Sequence, residues 1–549
     1  MKLFHNLLRV GTYRYYVLVF LVSSLPLTAF FITTNLVHTS DGLVHVPRIA
    51  AFYKALVDGQ FPVRWAGDLN FGYGMPLFNF MYQLPYLVSS FFIVVGFDLV
   101  SSFKLSMATS FLLSGFFIFL FAREFFKDEK KALLITLLYQ FAPFHLVELL
   151  VRGSFGELYT YTFLPLVLFG LTKIINKPTV KSFVLTSVAT FFLIISHNAI
   201  SLVFFGVCLF YILFFAPRKK WLVSFASLFC GLGLSAYYFI PAIFEHKYTY
   251  GDLYMKDLYK SHFVPLYYFF VPNILKSQEF RIGAVSVQFG LFHVLAIIAG
   301  FFAYTRRKRE SGRIILFCLI LVGVSLFFMQ PISKILWERL TLLRQFQFPW
   351  RFISVVVFAT SFLGVTFFEF KKFSKHLVFV SVCIFIVLST VFYWVPQEGF
   401  DKINENYYRN FPLTTTYYGE TDVIWTAGEF HSYPKKPVET IEGNAIVSNY
   451  KKKSNVHTYI VVSQKPSKIV DHTEYFPGWK VYVNGKQTSI EFQDQNYRGE
   501  ITFAVPAGSN DVKVVFGESP IRAVSDGISI LSFAGIIGYV GFRKVRKKR

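Results

Sequence analysis

The chain has 549 residues, 54% of them hydrophobic and only 16% charged, with 69 Phe, 32 Tyr and a mean hydropathy of +0.47. No soluble protein hides that much apolar surface, so a soluble enzyme is excluded and an integral membrane protein is expected. The net charge of +23 does not point to nucleic acid, because the Lys and Arg sit mostly in short clusters between apolar runs, as cytoplasmic loops do.

About 20 apolar residues in a helix cross about 30 Å of hydrocarbon. Twelve runs qualify, near 17–36, 103–121, 132–150, 158–175, 182–196, 199–215, 222–239, 284–303, 314–329, 352–369, 377–395 and 524–542. A further run, 84–97, is short and follows the breakers Gly72, Gly74, Pro76 and Pro85. Basic clusters run from Lys2/Arg9/Arg14 through Arg306/Arg307/Lys308/Arg309/Arg313 to the tail Arg543–Arg549. They all share one side only if 84–97 does not cross, so that run reads as a re-entrant or interfacial helix, with both termini cytoplasmic. Loop 37–83 and the long stretch 396–523 then lie outside. All four cysteines, Cys208, Cys230, Cys318 and Cys383, fall in apolar runs, which leaves no disulfide framework or Cys-based zinc site.

Loop 37–83 opens a helical pattern in which Asp41, His45 and Arg48 stand at i, i+4 and i+7. Asp41 or Ser40 can cap that helix. One face then carries an acid, an imidazole and a guanidinium, as a general base beside an anion-binding group requires. A helix cap with interfacial snorkelling residues explains the same spacing. His38, Asp41 and His45 also have the spacing of metal ligands, although a third strong ligand would have to come from elsewhere. Next come Gly59–Trp65, with Arg64, and a Gly72-Tyr-Gly74 segment. They read as a loop folded back over a pocket between helices, or as an ordinary interfacial loop.

Three further places put costly polar groups at helix ends: Glu148, Arg152 and Glu157; His197-Asn198; and Gln347-Phe-Pro-Trp-Arg351. Ionisable residues at such depths usually face a bundle interior or a water-filled cavity. Arg152 and Arg351 are phosphate candidates, because a guanidinium grips two phosphoryl oxygens at once. A headgroup anchor is the alternative for Arg351, and a satisfied helix-end histidine for His197. No Gly-rich phosphate loop, HExxH or serine elbow is present. In 396–523 the apolar residues alternate in Tyr459-Ile-Val-Val462 and Val481-Tyr-Val483, and Asn484-Gly485 supplies a type I′ turn, so a β-sandwich is predicted before the last helix.

The runs Asp41-Gly-Leu-Val-His45-Val-Pro-Arg48, Gly59-Gln-Phe-Pro-Val-Arg64-Trp65, Gly72-Tyr-Gly-Met-Pro76, Gln347–Arg351, Tyr475-Phe-Pro-Gly-Trp479 and Val505-Pro-Ala-Gly508 resemble a prokaryotic multi-pass family labelled 6-pyruvoyl-tetrahydropterin synthase-related. It is similar in layout to YfhO-like proteins and GT-C glycosyltransferases. The resemblance implies a GT-C-like bundle of about 12–13 helices over 1–395, a β-sandwich over 396–523 and a final helix with a basic tail over 524–549. It also implies a polyprenyl-phosphate-sugar donor and a catalytic acid in the first outer loop, where Asp41 stands. Asp41 is followed by Gly42, not by the second acid of some relatives. The three-histidine zinc set of a pterin synthase is not visible.

The sequence therefore reads as an inverting glycosyltransferase of the cell membrane with Asp41 as general base. His45, Arg48, Arg64, Arg152, Glu157, His197 and Arg351 are the candidate substrate-binding residues. Its expected partners are the lipid-linked sugar, a glycan, lipid or protein acceptor and membrane lipids, with no nucleic acid. No cofactor is expected, a divalent metal being the unfavoured option. A lipid-linked-glycan flippase and a non-catalytic scaffold displaying the β-sandwich are the rival readings.

Overall fold

The computed structural model describes residues 10–271, 281–282, 285–306, 312–417, 419–426 and 428–548. Of the basic clusters, Lys2, Arg9, Arg307, Lys308, Arg309 and Arg549 lie outside these residues. The bundle is built from α1 (Val10–Ser24), α2 (Gly42–Val57), α3 (Leu84–Val95), α4 (Leu99–Phe126), α5 (Glu129–Gln140), α6 (Pro143–Val147), α7 (Phe155–Asn176) and α8 (Val180–Ile194). It continues through α9 (Asn198–Phe215), α10 (Trp221–Leu234), α11 (Ala236–Phe244), α12 (Leu291–Thr305), α13 (Gly312–Met329), α14 (Ile353–Leu363), α15 (His376–Leu388) and α16 (Pro520–Lys548).

Every one of the twelve apolar runs contains a helix, but they differ in reach. Among the described residues seven helices are long and apolar enough to cross a membrane, α14 and α15 counted with their flanking 3₁₀ turns as Pro349–Glu369 and His376–Tyr393, or nine if the bent pairs α5–α6 (49°) and α10–α11 (69°) each count as one span. The expectation of twelve full spans is trimmed by local breakers. Pro26 stops α1, His197 caps the start of α9 and so ends α8, and Gly290, at φ 90°, delays α12. Helices α8 and α12 have 15 residues each, about 22 Å, short of the hydrocarbon thickness by themselves. Helix α3 has 12 residues, about 18 Å, and stops at Gly96 in the left-handed conformation, so it is too short to span. Apolar side chains left outward on α16, such as Ile530, Leu531, Phe533 and Ile537, mark a lipid-facing helix.

The extramembrane part is a two-sheet sandwich. Strands β1 (Leu36–Val37) and β2 (Phe400–Asp401) first tie the loop after α1 to the segment after α15. Then β3 (Val438–Glu442), β4 (Ala445–Lys453), β5 (Val456–Ser463), β6 (Ser467–Glu474), β7 (Trp479–Val483), β8 (Lys486–Thr488), β9 (Glu500–Val505) and β10 (Gly508–Phe516) form a five-stranded sheet, β8-β7-β10-β5-β4, over a three-stranded one, β9-β6-β3. The alternation works as expected: Val461, Val481 and Val514 point inward against Ile469, Ile501 and Phe503. Asn484 and Gly485, at φ 51° and 77°, make the β7–β8 turn.

One boundary differs from the sequence reading. The strands occupy 438–516, while 402–437 runs as an irregular strap over loop 37–83, with Phe71 N–H donating to Pro412 O and Tyr417 OH to Ser40 O. Loop 59–76 is anchored by Trp65, which is inserted in the sandwich core, edge-on to Trp479 at 5.3 Å. A Cβ at Gly74 would lie 2.5 Å from Trp65 Nε1, which is why that turn takes glycine.

Candidate active site

The loop before α2 is packed tightly against the turn after α6. Ser40 and Asp41 N–H groups donate to Val151 and Arg152 carbonyls at 3.1 and 2.8 Å. Thr39 Oγ1 accepts from Gly42 N–H at 3.1 Å, so Thr39 caps this helix end and neither Ser40 nor Asp41 does. Gly42 and Gly153 make the approach possible: a Cβ on either would fall 2.5 or 2.3 Å from Thr39 Oγ1. Asp41 keeps both carboxylate oxygens for other partners. Oδ1 accepts from Tyr417 OH at 2.9 Å and Oδ2 lies 3.7 Å from Arg152 Nη2.

From Arg152 a chain of charges runs into the bundle. Residues Glu148–Arg152 form one wide π-helical turn, a feature frequent at functional sites. Arg152 Nη1 reaches Glu148 Oε2 at 2.7 Å and Glu157 Oε1, in the first turn of α7, at 3.2 Å. Glu157 Oε1 also takes Arg351 Nε at 3.0 Å and lies 3.8 Å from His197 Nε2. His197 Nδ1 accepts from Ala199 and Ile200 N–H groups as the cap of α9, which leaves Nε2 to carry the proton. Beneath the two guanidiniums Phe348 and Trp350 stack at 5.2 Å, Arg152 over Trp350 and Arg351 over Phe348, each at 4.9 Å. The Gln347–Arg351 motif thus supplies a cation and its aromatic floor together.

Exposure separates the members. Glu148 and Glu157 are fully buried, and Arg152, Arg351 and His197 nearly so, whereas the Asp41 side chain is 25% exposed at the rim. Tyr417, whose phenol is pushed up by burial and then by the Asp41 charge, stays protonated and donates. Arg48 is buried, with Nη2 donating to Thr415 O of the strap and Nε lacking a hydrogen-bond partner. It makes no ion pair within 4 Å among the described residues, although it donates to Tyr86 and Glu420 attracts it, and Nε is its spare donor.

Two of the other candidates are placed differently from their sequence reading. His45 is a core residue, its Nδ1 2.9 Å from Tyr86 OH and its ring against Phe103 and Phe155. Burial first, then the charges of Arg48 and Arg152, holds it well below the usual imidazole range, hence neutral. Arg64 belongs to a second ion cluster: it pairs with Glu518 at 3.0 Å and Asp526 at 2.8 Å and donates to Tyr237 O. There it fastens loop 59–76 to α16. The metal reading of His38, Asp41 and His45 is not met by the geometry, since His38 turns to Asp401 at 3.0 Å and the three side chains have separate partners. Among the described residues no three His, Cys, Asp or Glu side chains gather as metal ligands.

Tyr417, Thr415 and Thr39 carry no sequence signal, because the strap meets the loop only through the fold. Trp350 and Phe348 were visible in the motif but had no assigned role.

These features define a multi-pass membrane protein whose buried charge cluster opens, at one acidic residue, beneath an extramembrane strap. Its family is identified by residues 78–407, more than half of the chain, which match the model of the 6-pyruvoyl-tetrahydropterin synthase related domain, a membrane protein; the chain belongs to that family. An uncharacterized protein of Lactococcus lactis subsp. cremoris (strain MG1363) is 25% identical over 245 residues, 42% of this chain and 39% of that one. Among solved structures, the arabinofuranosyltransferase AftD from Mycobacteria is similar, with a TM-score of 0.46, 16% identity, and 71% of this chain and 28% of that one covered. ArnT from Cupriavidus metallidurans, bound to undecaprenyl phosphate, has a TM-score of 0.41 and 14% identity over 68% of this chain and 63% of that one. The Archaeoglobus fulgidus oligosaccharyltransferase, in complex with Zn and sulfate, has a TM-score of 0.43 and 12% identity over 76% and 59%. The chain spans less than two thirds of the length of each of these proteins.

Proposed function

We propose that the protein is an inverting membrane glycosyltransferase of GT-C type, moving a sugar from a polyprenyl-phosphate donor to an acceptor hydroxyl at the outer membrane face. The observation that carries this reading is the joining of Asp41, Arg152, Glu157 and Arg351, from three separate segments, into one network with a single partly exposed carboxylate at its rim. Asp41 takes the proton of the acceptor hydroxyl as its oxygen bonds to the anomeric carbon. The bond from that carbon to the phosphate oxygen breaks, and the lipid phosphate leaves with the electron pair. Positioned general-base catalysis contributes about 10² to 10⁴ in rate.

Arg152 orients Asp41 and is itself held by Glu148 and Glu157. The leaving phosphate falls best to Arg48, whose guanidinium has spare donor capacity and no carboxylate pair among the described residues, with Arg152 and Arg351 supplying fixed positive charge behind it. No metal is assigned a part.

The test is transfer of radiolabelled sugar from a polyprenyl-phosphate donor by the purified protein, run beside donor binding. Asp41→Asn should lower turnover about 10² to 10⁴ fold while leaving folding intact, since Thr39 does the capping. Arg48→Ala should weaken donor binding. Unchanged turnover in Asp41→Asn would remove the base and favour a flippase or scaffold.

A further inference from the structure

A cleft of about 480 Å³ lies away from Asp41, where loop 59–76, the strap and the sandwich meet. Its size is within the range of sites for small ligands. Three aromatic rings line it from three segments: Phe71 of the loop, Tyr433 of the strap and Tyr450 of β4. Asp68, Lys54 and His472 add polar groups. Phe71 and Tyr433 meet edge to face at 5.6 Å, so one ring face and one ring edge are presented together, and Tyr433 is 56% exposed.

Two observations set this cleft apart from an ordinary seam. Asn70 and Phe71 both have left-handed backbones, at φ 57° and 52°, a conformation that is an outlier for a bulky residue and that the strap holds through hydrogen bonds to Leu413 and Pro412 carbonyls. That backbone delivers the Phe71 ring to the cleft. His472, only 9% exposed, is held between two carboxylates, Nδ1 bound to Glu500 and Nε2 3.8 Å from Glu439 Oε1, so this wall of the cleft is a fixed polar surface.

The charges nearby are balanced. Lys54 pairs with Asp58 at 3.3 Å and Asp68 at 3.6 Å, and Lys452 Nζ donates to Gly72 O at 2.7 Å. An anion or a cation would gain little here. A sugar ring fits: its C–H face lies on an aromatic face, and its hydroxyls both donate and accept, matching Asp68 and Lys54. We infer that this cleft binds a neutral oligosaccharide. Lys54 is thirteen residues beyond Asp41 along α2, about 20 Å at 1.5 Å per residue, so a glycan a few sugars long reaches both. Assigning the bound glycan as the far arm of the acceptor rests on the glycosyl-transfer reading; the binding itself does not.

The experiment is titration calorimetry of the full chain in detergent with neutral hexasaccharides of glucose, mannose and galactose, and with a galacturonate hexamer as the anionic control. A neutral hexasaccharide should bind, and Tyr433→Ala should weaken it about ten-fold. Phe71→Gly, which removes the ring and suits the left-handed backbone, should do the same. Asp41→Asn should bind as the unaltered protein does, so a failed base assignment shows in turnover alone. Silence of all neutral probes, binding of the galacturonate only, or unchanged affinity in both aromatic variants would overturn the inference.

Discussion

At the scale of single residues, the site depends on which groups are already spoken for. Arg351 is less a free phosphate clamp than the partner of Glu157, and Arg351→Ala strands a carboxylate in the bundle. Removing one partner of a buried pair costs about 3 to 5 kcal/mol, and the lower end is expected because Arg152 still lies 3.2 Å from Glu157. The thermal midpoint in detergent should therefore fall, and adding Glu157→Gln should recover most of the loss. An unchanged midpoint in the single variant would refute the pairing. His45 makes a pH prediction. It is held below its unfolded value near 6.5, so the unfolded chain takes the proton first. The stability this gives is fully present above pH 6.5 and is lost as the pH falls below it. His45→Gln should flatten that acid limb in a midpoint-against-pH series from 5 to 8.

At the scale of elements, the decisive contact is that of loop 37–42 with turn 151–154, where Thr39 serves as cap and Gly153 as clearance. Gly153 sits at φ 66°, and an added Cβ would press on Thr39 Oγ1. Gly153→Ala should cost more than about 1 kcal/mol and, by pushing Asp41 from Arg152, should lower turnover more than it lowers the folded yield. Equal losses in both would mean that the loop does not position the acid. The Tyr475–Trp479 motif has a comparable structural reason. Phe476 fills the sandwich core, and a Cβ at Gly478 would lie 2.5 Å from Nη2 of the buried Arg522. Arg522 in turn pairs with Glu245 at 3.2 Å, which joins the sandwich to α11 and α16.

At the scale of the whole molecule, the basic clusters predict an orientation: if 84–97 does not cross and the twelve other apolar runs do, the clusters share one side and the sandwich and strap lie opposite. Single cysteines in a background lacking Cys208, Cys230, Cys318 and Cys383 can test this with an impermeant thiol reagent on intact cells. Ser432→Cys and Phe97→Cys should label, and Lys219→Cys should not. Protection at 432 would invert the topology, and protection at 97 alone would mean that the 84–97 segment crosses.

Apolar run length, basic clusters and strand alternation are local properties, and these made the bundle, the sandwich and the I′ turn legible in the sequence. The same is true of isolated costly charges: Arg152, Glu157, His197 and Arg351 stood out because burying an ionisable group requires a partner. What the sequence could not supply was the identity of each partner. Tyr417 meets Asp41 across 376 positions and Thr415 meets Arg48 across 367, contacts made only when the strap folds over the first loop. Arg64 looked like its fellow arginines until the fold gave it Glu518 and Asp526. Charge pairing between distant segments depends on three-dimensional proximity, which residue spacing does not encode, so only the tertiary structure showed which carboxylate each guanidinium pairs with.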